Sequence, residues 1–176
     1  MENLTDEELM AAVSSDNLDC MRVLYDRYHK WIYNFFMQLI QDKDTSADLT
    51  QSTFYKAIKY RKSYKGGKFD SWIFKIARNL SSDYFNGRKS NLSQEEIRNI
   101  PENETKQEID EEVAKLRLVM QKLAPEDREV LVMSRFQEMK YSQIAEILGT
   151  TENAIKIKAH RALKKLKKLF FESVEI

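Results

Sequence analysis

The sequence predicts an all-α protein built from two small helical domains. Its 176 residues include only 4 glycines and 2 prolines, fewer turn residues than a sheet protein of this length needs. Hydrophobic residues make up 42% of the chain and charged residues 32%, which is typical of a globular chain with a core. A polar, acidic stretch over residues 91–110 separates two helical parts. We therefore predict domains at 1–90 and 111–176, joined by a linker.

Two helices are predicted at the start of the first domain. Thr5 or Asp6 can cap a short first helix that carries acids in its first turn. A longer second helix follows over about residues 18–40, where apolar side chains recur at helical spacing. The stretch "DKDTSAD" then interrupts this pattern, so the second helix is expected to end before it.

A third helix is predicted over about residues 47–60, capped at Thr45 or Ser46. One side of this helix is apolar and faces the core. The opposite side is polar but includes an aromatic ring. This polar face is formed by Asp48, Ser52, Tyr55 and Lys59, and Gln51 lies at its edge.

A basic loop over residues 61–68 and a fourth helix over about residues 70–85 complete the first domain. A pair of glycines marks the loop, and Gly87 is placed to end the helix. The helix mixes aromatic side chains with cations. A core helix does not need the cations and a plain surface helix does not need the aromatics, so we expect this helix to meet a surface that requires both.

The second domain begins with a helix over about residues 109–123, and Pro125 opens the next helix, "PEDREVLVMSRFQ". The stretch "YSQIAEILGTTENAIKIKAHRALKKLKK" then predicts a helix, a tight turn and a second helix. Ser142 can cap the first of these, Ala145 is small where the two helices cross, and Gly149 lies at the turn. This spacing is typical of a DNA-binding helix-turn-helix, because a close crossing and a sharp turn require small residues and glycine.

The last helix has an apolar side that includes Ile155 and an outward side rich in cations. Cations bind phosphates, arginine also pairs with guanine, and an aliphatic side chain contacts the methyl group of thymine. The candidate DNA-binding residues of this helix are Lys156, Ile157, Lys158, His160, Arg161 and Lys164.

The net charge of +1 conceals two basic regions separated by an acidic one. Residues 61–90 and 151–176 are basic and residues 91–124 are acidic, a pattern typical of two polyanion-binding surfaces.

The single cysteine, Cys20, cannot form an internal disulfide and fits a reducing cytoplasm. The sequence offers no membrane-spanning run, so no membrane insertion is expected.

No catalytic, metal or cofactor site is predicted. His29 has no second ligand at metal-binding spacing, and His160 is interpreted as a surface contact rather than a ligand. The sequence also lacks a glycine-rich phosphate loop and a nucleophilic triad, so we do not expect an enzyme.

The chain resembles the extracytoplasmic-function (ECF, group IV) sigma factors, small subunits of bacterial RNA polymerase. "ADLTQSTFYKAIK" resembles the "DLVQETF" helix of that family, and "FDSWIFKIARNLSSDYFNGRK" resembles its "FRSWLYTIARNLALDYLRRRR" helix. The sequence after residue 122 resembles sigma region four. The resemblance runs from about residue 18 to 169, and it implies region two in domain 1–90 and region four in domain 111–176.

The resemblance implies that the third helix binds the β′ subunit of core RNA polymerase. Its contact residues would be Asp48, Gln51, Ser52 and Tyr55. Ser52 departs from the usual glutamate and removes one charge from this contact. The helix near residues 130–136 would meet the β subunit, and the acidic linker would follow the RNA path.

The resemblance also implies that the basic loop and the fourth helix recognise the minus-ten promoter element and help to open the duplex. This answers why cations and aromatics occur together, because an opening surface holds phosphates and accepts unstacked bases. The loop residues that would take an extruded base are Arg61, Lys62, Tyr64, Lys65 and Lys68. The helix residues near DNA would be Lys75, Arg78, Asn79, Asp83 and Arg88. Trp72 is more often a core residue than a platform for bases.

In region four, the resemblance places the last helix in the major groove of the minus-thirty-five element. Ile157 replaces a common serine, so the preferred sequence is expected to differ. The implied partners are core polymerase, promoter DNA and, as in many members of the family, an anti-sigma factor.

Two other functions remain open on the sequence. A conventional helix-turn-helix regulator would use the first domain for sensing or dimerisation. A polymerase-binding regulator without promoter specificity would not need the base-contacting face of the last helix.

Overall fold

A computed structural model describes residues 1, 3–91 and 110–172 of the chain. Within these ranges the chain forms eight α-helices and no strand, which confirms the all-α prediction. Most of the predicted linker over residues 91–110, with its acids, lies outside the described residues. No helix in the described ranges has the length and apolarity required to span a bilayer.

The first two helices are α1 (Asp6–Ser14) and α2 (Asp19–Ile40). Thr5 caps α1 as predicted, and the side chain of Glu8 accepts a hydrogen bond from the backbone N–H of Thr5 at 2.8 Å. This reciprocal capping box satisfies donors that the first helical turn leaves unpaired.

Two boundaries in the first half differ from the prediction. Helix α3 (Lys43–Lys59) begins four residues early because the side chain of Asp42 accepts hydrogen bonds from the N–H groups of Asp44 and Thr45. Helix α4 (Phe69–Asn91) continues past Gly87, so the prediction that Gly87 ends it was wrong. A single glycine inside a helix costs only about 1 kcal/mol.

The core of the first half forms where α2, α3 and α4 pack together. Aromatic rings fill this core: Phe35 and Phe74 are fully buried, and their centroids lie 4.6 Å apart in an edge-to-face arrangement. A short 3₁₀ turn, Arg61–Ser63, and a loop connect α3 to α4. Helix α1 packs against both α2 and α4 and contacts this 3₁₀ turn.

The second half contains α5 (Glu111–Lys122), α6 (Pro125–Leu131), α7 (Tyr141–Leu148) and α8 (Glu152–Glu172). Pro125 occupies the first turn of α6 as predicted, where its missing N–H costs no hydrogen bond. A π-helical turn, Val132–Phe136, follows α6. The prediction that Ser142 caps α7 was wrong: the cap position is Lys140, whose side chain makes no capping bond.

The two halves pack against each other along α4 and α7 and along α2, α6 and the π-helical turn. Arg128 of α6 is 5% exposed, and its guanidinium donates to the backbone carbonyl of Leu39 at 2.9 Å and to that of Leu123 at 3.1 Å. Burial lowers the pKa of Arg128. A buried guanidinium is tolerated only with such partners, and its bond to Leu39 joins α6 to the end of α2 across the two halves.

Candidate nucleic-acid interface

Helices α7 and α8 meet at a sharp turn formed by Gly149. This glycine has φ +67°, a left-handed conformation that other residues rarely adopt. Thr151 accepts a hydrogen bond from the N–H of Ala154 at 3.1 Å, which caps the start of α8. Ala145 and Ile155 are 5% and 2% exposed. The predicted roles of the small residue at the crossing, the glycine at the turn and the buried aliphatic side chain are therefore confirmed.

The outward face of α8 matches the predicted DNA-binding set with one exception. Ile157 is 45% exposed although it is aliphatic. Lys158 is half-buried and forms an ion pair with Glu126 at 3.3 Å. The exposed members of the set, which we call the recognition face, are Lys156, Ile157, His160, Arg161 and Lys164.

Acids in the first turn of α6 hold the flank of α8. Besides the pair between Lys158 and Glu126, Lys165 pairs with Asp127 at 2.8 Å. Because Glu126 in one pair and Lys165 in the other are well exposed, water screens both pairs, and each contributes about 1 kcal/mol or less. They orient the flank of α8, and DNA phosphates can compete for the lysines.

The loop between α3 and α4 is held at its start by Asp16, in the turn between α1 and α2. The Arg61 guanidinium donates to the Asp16 carboxylate through Nε at 2.9 Å and through Nη2 at 2.6 Å. Lys62 lies 3.2 Å from the other carboxylate oxygen. The hydrogen bonds from Arg61 and Lys62 lower the pKa of Asp16. Two of the five predicted loop contacts are thus already paired within the protein.

The rest of the loop divides into one buried ring and two exposed cations. Tyr64 is 6% exposed, and its ring lies edge-to-face with Trp72 at 5.4 Å between centroids. Its hydroxyl donates to the carbonyl of Gly67 at 2.5 Å. A buried ring cannot stack on a base in this conformation, whereas Lys65 and Lys68 are exposed.

Helix α4 presents most of its predicted contacts to solvent, with one exception. Arg78 points instead to α6, where its Nε donates to the Glu129 carboxylate at 3.0 Å. Burial raises the pKa of Glu129, and the charge of Arg78 opposes that rise. The four exposed predicted contacts are Lys75, Asn79, Asp83 and Arg88. Trp72 is half-buried among aromatic rings, consistent with a core residue.

The polar face of α3 is exposed as the helical spacing predicts. Asp48 and Gln51 are exposed, and Tyr55 is 68% exposed. Ser52 is only partly exposed. A large aromatic ring that projects into solvent between polar neighbours is typical of a protein contact site.

Sequence reasoning missed the residues that hold these surfaces in place. They are Asp16, Glu129 and Gln143, the last of which donates to the Asp70 carboxylate at 3.0 Å. A local signal existed only for Asp16, which follows two serines in a turn-forming "SSDN" stretch. The partners of Glu129 and Gln143 lie 51 and 73 positions away, beyond any local pattern.

Two family models match the chain. The model of sigma-70 region 2 matches residues 24–91, and the model of sigma-70 region 4 matches residues 114–166. The chain belongs to the sigma-70 family. Proteins of this family are the subunits that direct bacterial RNA polymerase to promoters, and that is the functional class of this chain.

Among the described residues, no cluster of His, Cys, Asp and Glu side chains is suited to hold a metal ion.

Curated relatives extend the match over nearly the whole chain. The ECF RNA polymerase sigma factor BldN of Streptomyces coelicolor is 28% identical over 170 residues, which cover 92% of this chain and 64% of BldN. The RNA polymerase sigma factor YlaC of Bacillus subtilis is 29% identical over 168 residues, covering 89% of this chain and 95% of YlaC. This sigma factor thus spans under two thirds of one of these relatives and nearly all of the other.

Solved structures show the same fold. CnrH, in complex with the cytosolic domain of CnrY, superimposes with a TM-score of 0.74 at 23% identity, covering 95% of this chain and 97% of CnrH. RpoE of Bartonella quintana, in complex with the anti-sigma factor NepR, gives a TM-score of 0.63 at 22% identity over 84% of this chain and 94% of RpoE.

Proposed function

We propose that this sigma factor contacts both promoter elements and core polymerase through three separate surfaces. The recognition face of α8 would bind the minus-thirty-five element. The basic loop with α4 would bind the minus-ten element, and the polar face of α3 would bind the β′ subunit. The main support for this proposal is the recognition face: on the second helix of a helix-turn-helix, one exposed aliphatic side chain lies among cations.

In the major groove, the arginine, lysine and isoleucine side chains of the recognition face have distinct uses. Arg161 can donate two hydrogen bonds to one guanine, a contact that discriminates bases by about 1–3 kcal/mol. Lys156 and Lys164 would neutralise phosphates and contribute affinity that depends on salt but not on sequence. Ile157 would pack against a thymine methyl group, which a serine at this position could not do as well.

At the minus-ten element, the exposed cations of the loop and α4 supply phosphate contacts. Lys65 and Lys68 flank two glycines, Gly66 and Gly67, whose φ values are +91° and +86°. A Cβ added at either glycine would meet no atom within 4 Å, so the loop tip is open and can approach a nucleotide closely. Lys75 lies on α4 beyond the loop and would hold the backbone of the opened strand.

On α3, Tyr55 with its neighbours Asp48 and Gln51 offers a compact contact for a helical partner. The two structural neighbours named above are bound to other proteins, one of them an anti-sigma factor. We propose the same class of regulator for this chain, acting by covering the polymerase-binding surfaces. Because polymerase and promoters are in the cytoplasm, the protein is expected to act there.

Reconstituted transcription tests this assignment of surfaces. The double variant Lys156→Ala/Arg161→Ala should bind core polymerase with the affinity of the wild type but lose initiation from a minus-thirty-five-dependent promoter. Tyr55→Ala should lose binding to core. The control, Lys30→Ala/Lys122→Ala, removes two exposed cations elsewhere and should behave as the wild type. Full initiation by the first variant would favour a polymerase-binding regulator that does not contact promoter bases.

A further inference from the structure

The loop that follows α3 is tied to the N-terminal part of the chain at both of its ends. At the start, Arg61 and Lys62 converge on the Asp16 carboxylate. At the end, the backbone N–H of Phe69, the first residue of α4, donates to the Glu7 side chain at 3.3 Å. Glu7 lies in the first turn of α1 and Asp16 lies just past its end, so one short helix and the turn after it hold both ends of the loop.

Arg61 connects three parts of the fold rather than presenting a free cation. While Nε and Nη2 bind Asp16, Nη1 donates to the carbonyl of Ile58 at 2.9 Å in the last turn of α3. The side chain of Arg61 is 25% exposed. Its guanidinium thus holds the carboxyl end of α3 against the turn between α1 and α2.

The backbone of Asp16 belongs to the turn that ends α1, and its side chain reaches the loop. Its φ of +72° is left-handed, a conformation that Asp and Asn tolerate better than other side chains. A carboxylate next to the basic loop also repels DNA phosphates, so its presence lowers rather than raises affinity for nucleic acid. Its two oxygens accept bonds from two successive cations, which an acid placed only to balance charge does not require.

Between the two ties the loop backbone is also held from inside. The Tyr64 hydroxyl bonds to Gly67, and the Tyr64 ring packs on Trp72. The tip, from Lys65 to Lys68, projects into solvent. The loop therefore has a set shape whose ends depend on α1 and whose tip is open.

We propose that Asp16 is a positioning residue for base recognition: by fixing Arg61 and Lys62, it holds loop 61–68 in the shape that selects the minus-ten base. This inference rests on the proposed role of the loop. It assigns Arg61 and Lys62 to holding the loop, and it leaves the tip to contact the nucleotide. Asp16 itself touches neither base nor phosphate.

The test measures discrimination rather than activity alone. A promoter library randomised over the minus-ten element is transcribed by core polymerase with the wild type, Asp16→Ala or Asp16→Asn, and transcripts are sequenced. For Asp16→Ala we expect base discrimination at minus ten to fall about threefold to tenfold, on the scale of a weakened base contact. The minus-thirty-five preference and core affinity should stay within about twofold of the wild type. Asp16→Asn keeps an acceptor for Arg61 and the left-handed backbone, so it should retain most of the discrimination.

Different outcomes separate the possible roles of the carboxylate. If removal of the charge raises transcription from all library members equally and leaves their ratios unchanged, Asp16 acts only by repulsion and the inference fails. The control Asp26→Ala removes an exposed acid from α2 and should change neither the transcript ratios between library members nor the affinity for core polymerase.

If Asp16→Ala fails to fold, as shown by its thermal unfolding, the variant Arg61→Lys tests the inference instead. That change keeps the charge but loses the two-pronged bond, and unchanged discrimination would overturn the inference. Should the wild type itself show no minus-ten dependence, the proposed function fails instead.

Discussion

The Arg78–Glu129 ion pair stabilises the docking of the two halves of this sigma factor, and its contribution to the free energy of docking can be estimated. The pair joins α4 to α6 at 3.0 Å, and the two side chains are 31% and 10% exposed. Arg78→Ala would leave the Glu129 carboxylate largely buried without its partner. Breaking a fully buried pair costs about 3–5 kcal/mol. Because Arg78 is partly exposed and Glu129 regains water when the halves separate, we expect about 1–3 kcal/mol here.

That free energy shifts the equilibrium between docked and separated halves by about fivefold to a hundredfold, at 1.4 kcal/mol per factor of ten. Energy transfer between dyes at two exposed positions, Lys30→Cys on α2 and Lys167→Cys on α8, would report the separation. The native Cys20 is buried and should label poorly. Arg78→Ala should lower transfer efficiency, and the matched control Lys75→Ala, on the exposed side of α4, should not. Unchanged transfer in Arg78→Ala would refute the claim that this pair holds the docked state.

The same contact indicates why separation matters. Arg78 and Lys158 bind Glu129 and Glu126, which lie three positions apart on one helix. Side chains at that spacing are about 5–6 Å apart at Cβ, so the two cations lie within roughly 20 Å of each other. Elements centred near minus ten and minus thirty-five are separated by about 25 base pairs, or roughly 85 Å at 3.4 Å per base pair. With the surfaces assigned as proposed, the docked arrangement holds them too close together for both elements of one promoter, and we expect the halves to part on the polymerase.

Three further predictions concern single side chains. Because burial raises the pKa of Glu129, protonation favours the docked state: that contribution is fully present below the ordinary glutamate pKa and is lost as pH rises through the raised value. Energy transfer should thus increase as the pH is lowered toward the ordinary pKa of glutamate. Glu129→Gln should abolish this pH dependence, and a pH dependence that persists in Glu129→Gln would mean that another group causes it. Gly149→Ala forces a side chain into a left-handed conformation and should lower the free energy of unfolding by about 1–2 kcal/mol in urea titrations, whereas an unchanged midpoint would contradict the role of the turn. Ile157→Ser should alter the preferred minus-thirty-five bases in a randomised library without changing thermal stability, and an identical preference would remove Ile157 from base contact.

Much of the fold could be predicted from the sequence because local signals specify it. The helical spacing of apolar residues located α2 and α8, and Gly149 with Ala145 and Ile155 defined the helix-turn-helix. The errors concern helix boundaries, where a neighbouring residue caps the helix earlier than predicted or a glycine fails to end it. Asp42 caps α3 ahead of the predicted residues, and α4 simply runs through Gly87.

The surfaces were predictable as sets of exposed side chains, but the internal pairing of their members was not. Helical spacing identified the exposed Tyr55 and the cations of the recognition face. It could not show that Arg61 binds Asp16, 45 positions away, or that Arg78 faces Glu129 in the other half. Ion pairs between distant segments depend on tertiary packing, which leaves no periodic trace in a sequence.

The most direct test of the central claim is to map RNA start sites produced by purified core polymerase on fragmented genomic DNA of the source organism, with and without this protein. A promoter-specifying subunit should produce discrete new starts that share two upstream elements near minus ten and minus thirty-five, and Lys156→Ala/Arg161→Ala should abolish those starts. Binding to core without any new start sites would contradict it and would favour a polymerase-binding regulator. The absence of binding to core would favour a conventional DNA-binding regulator.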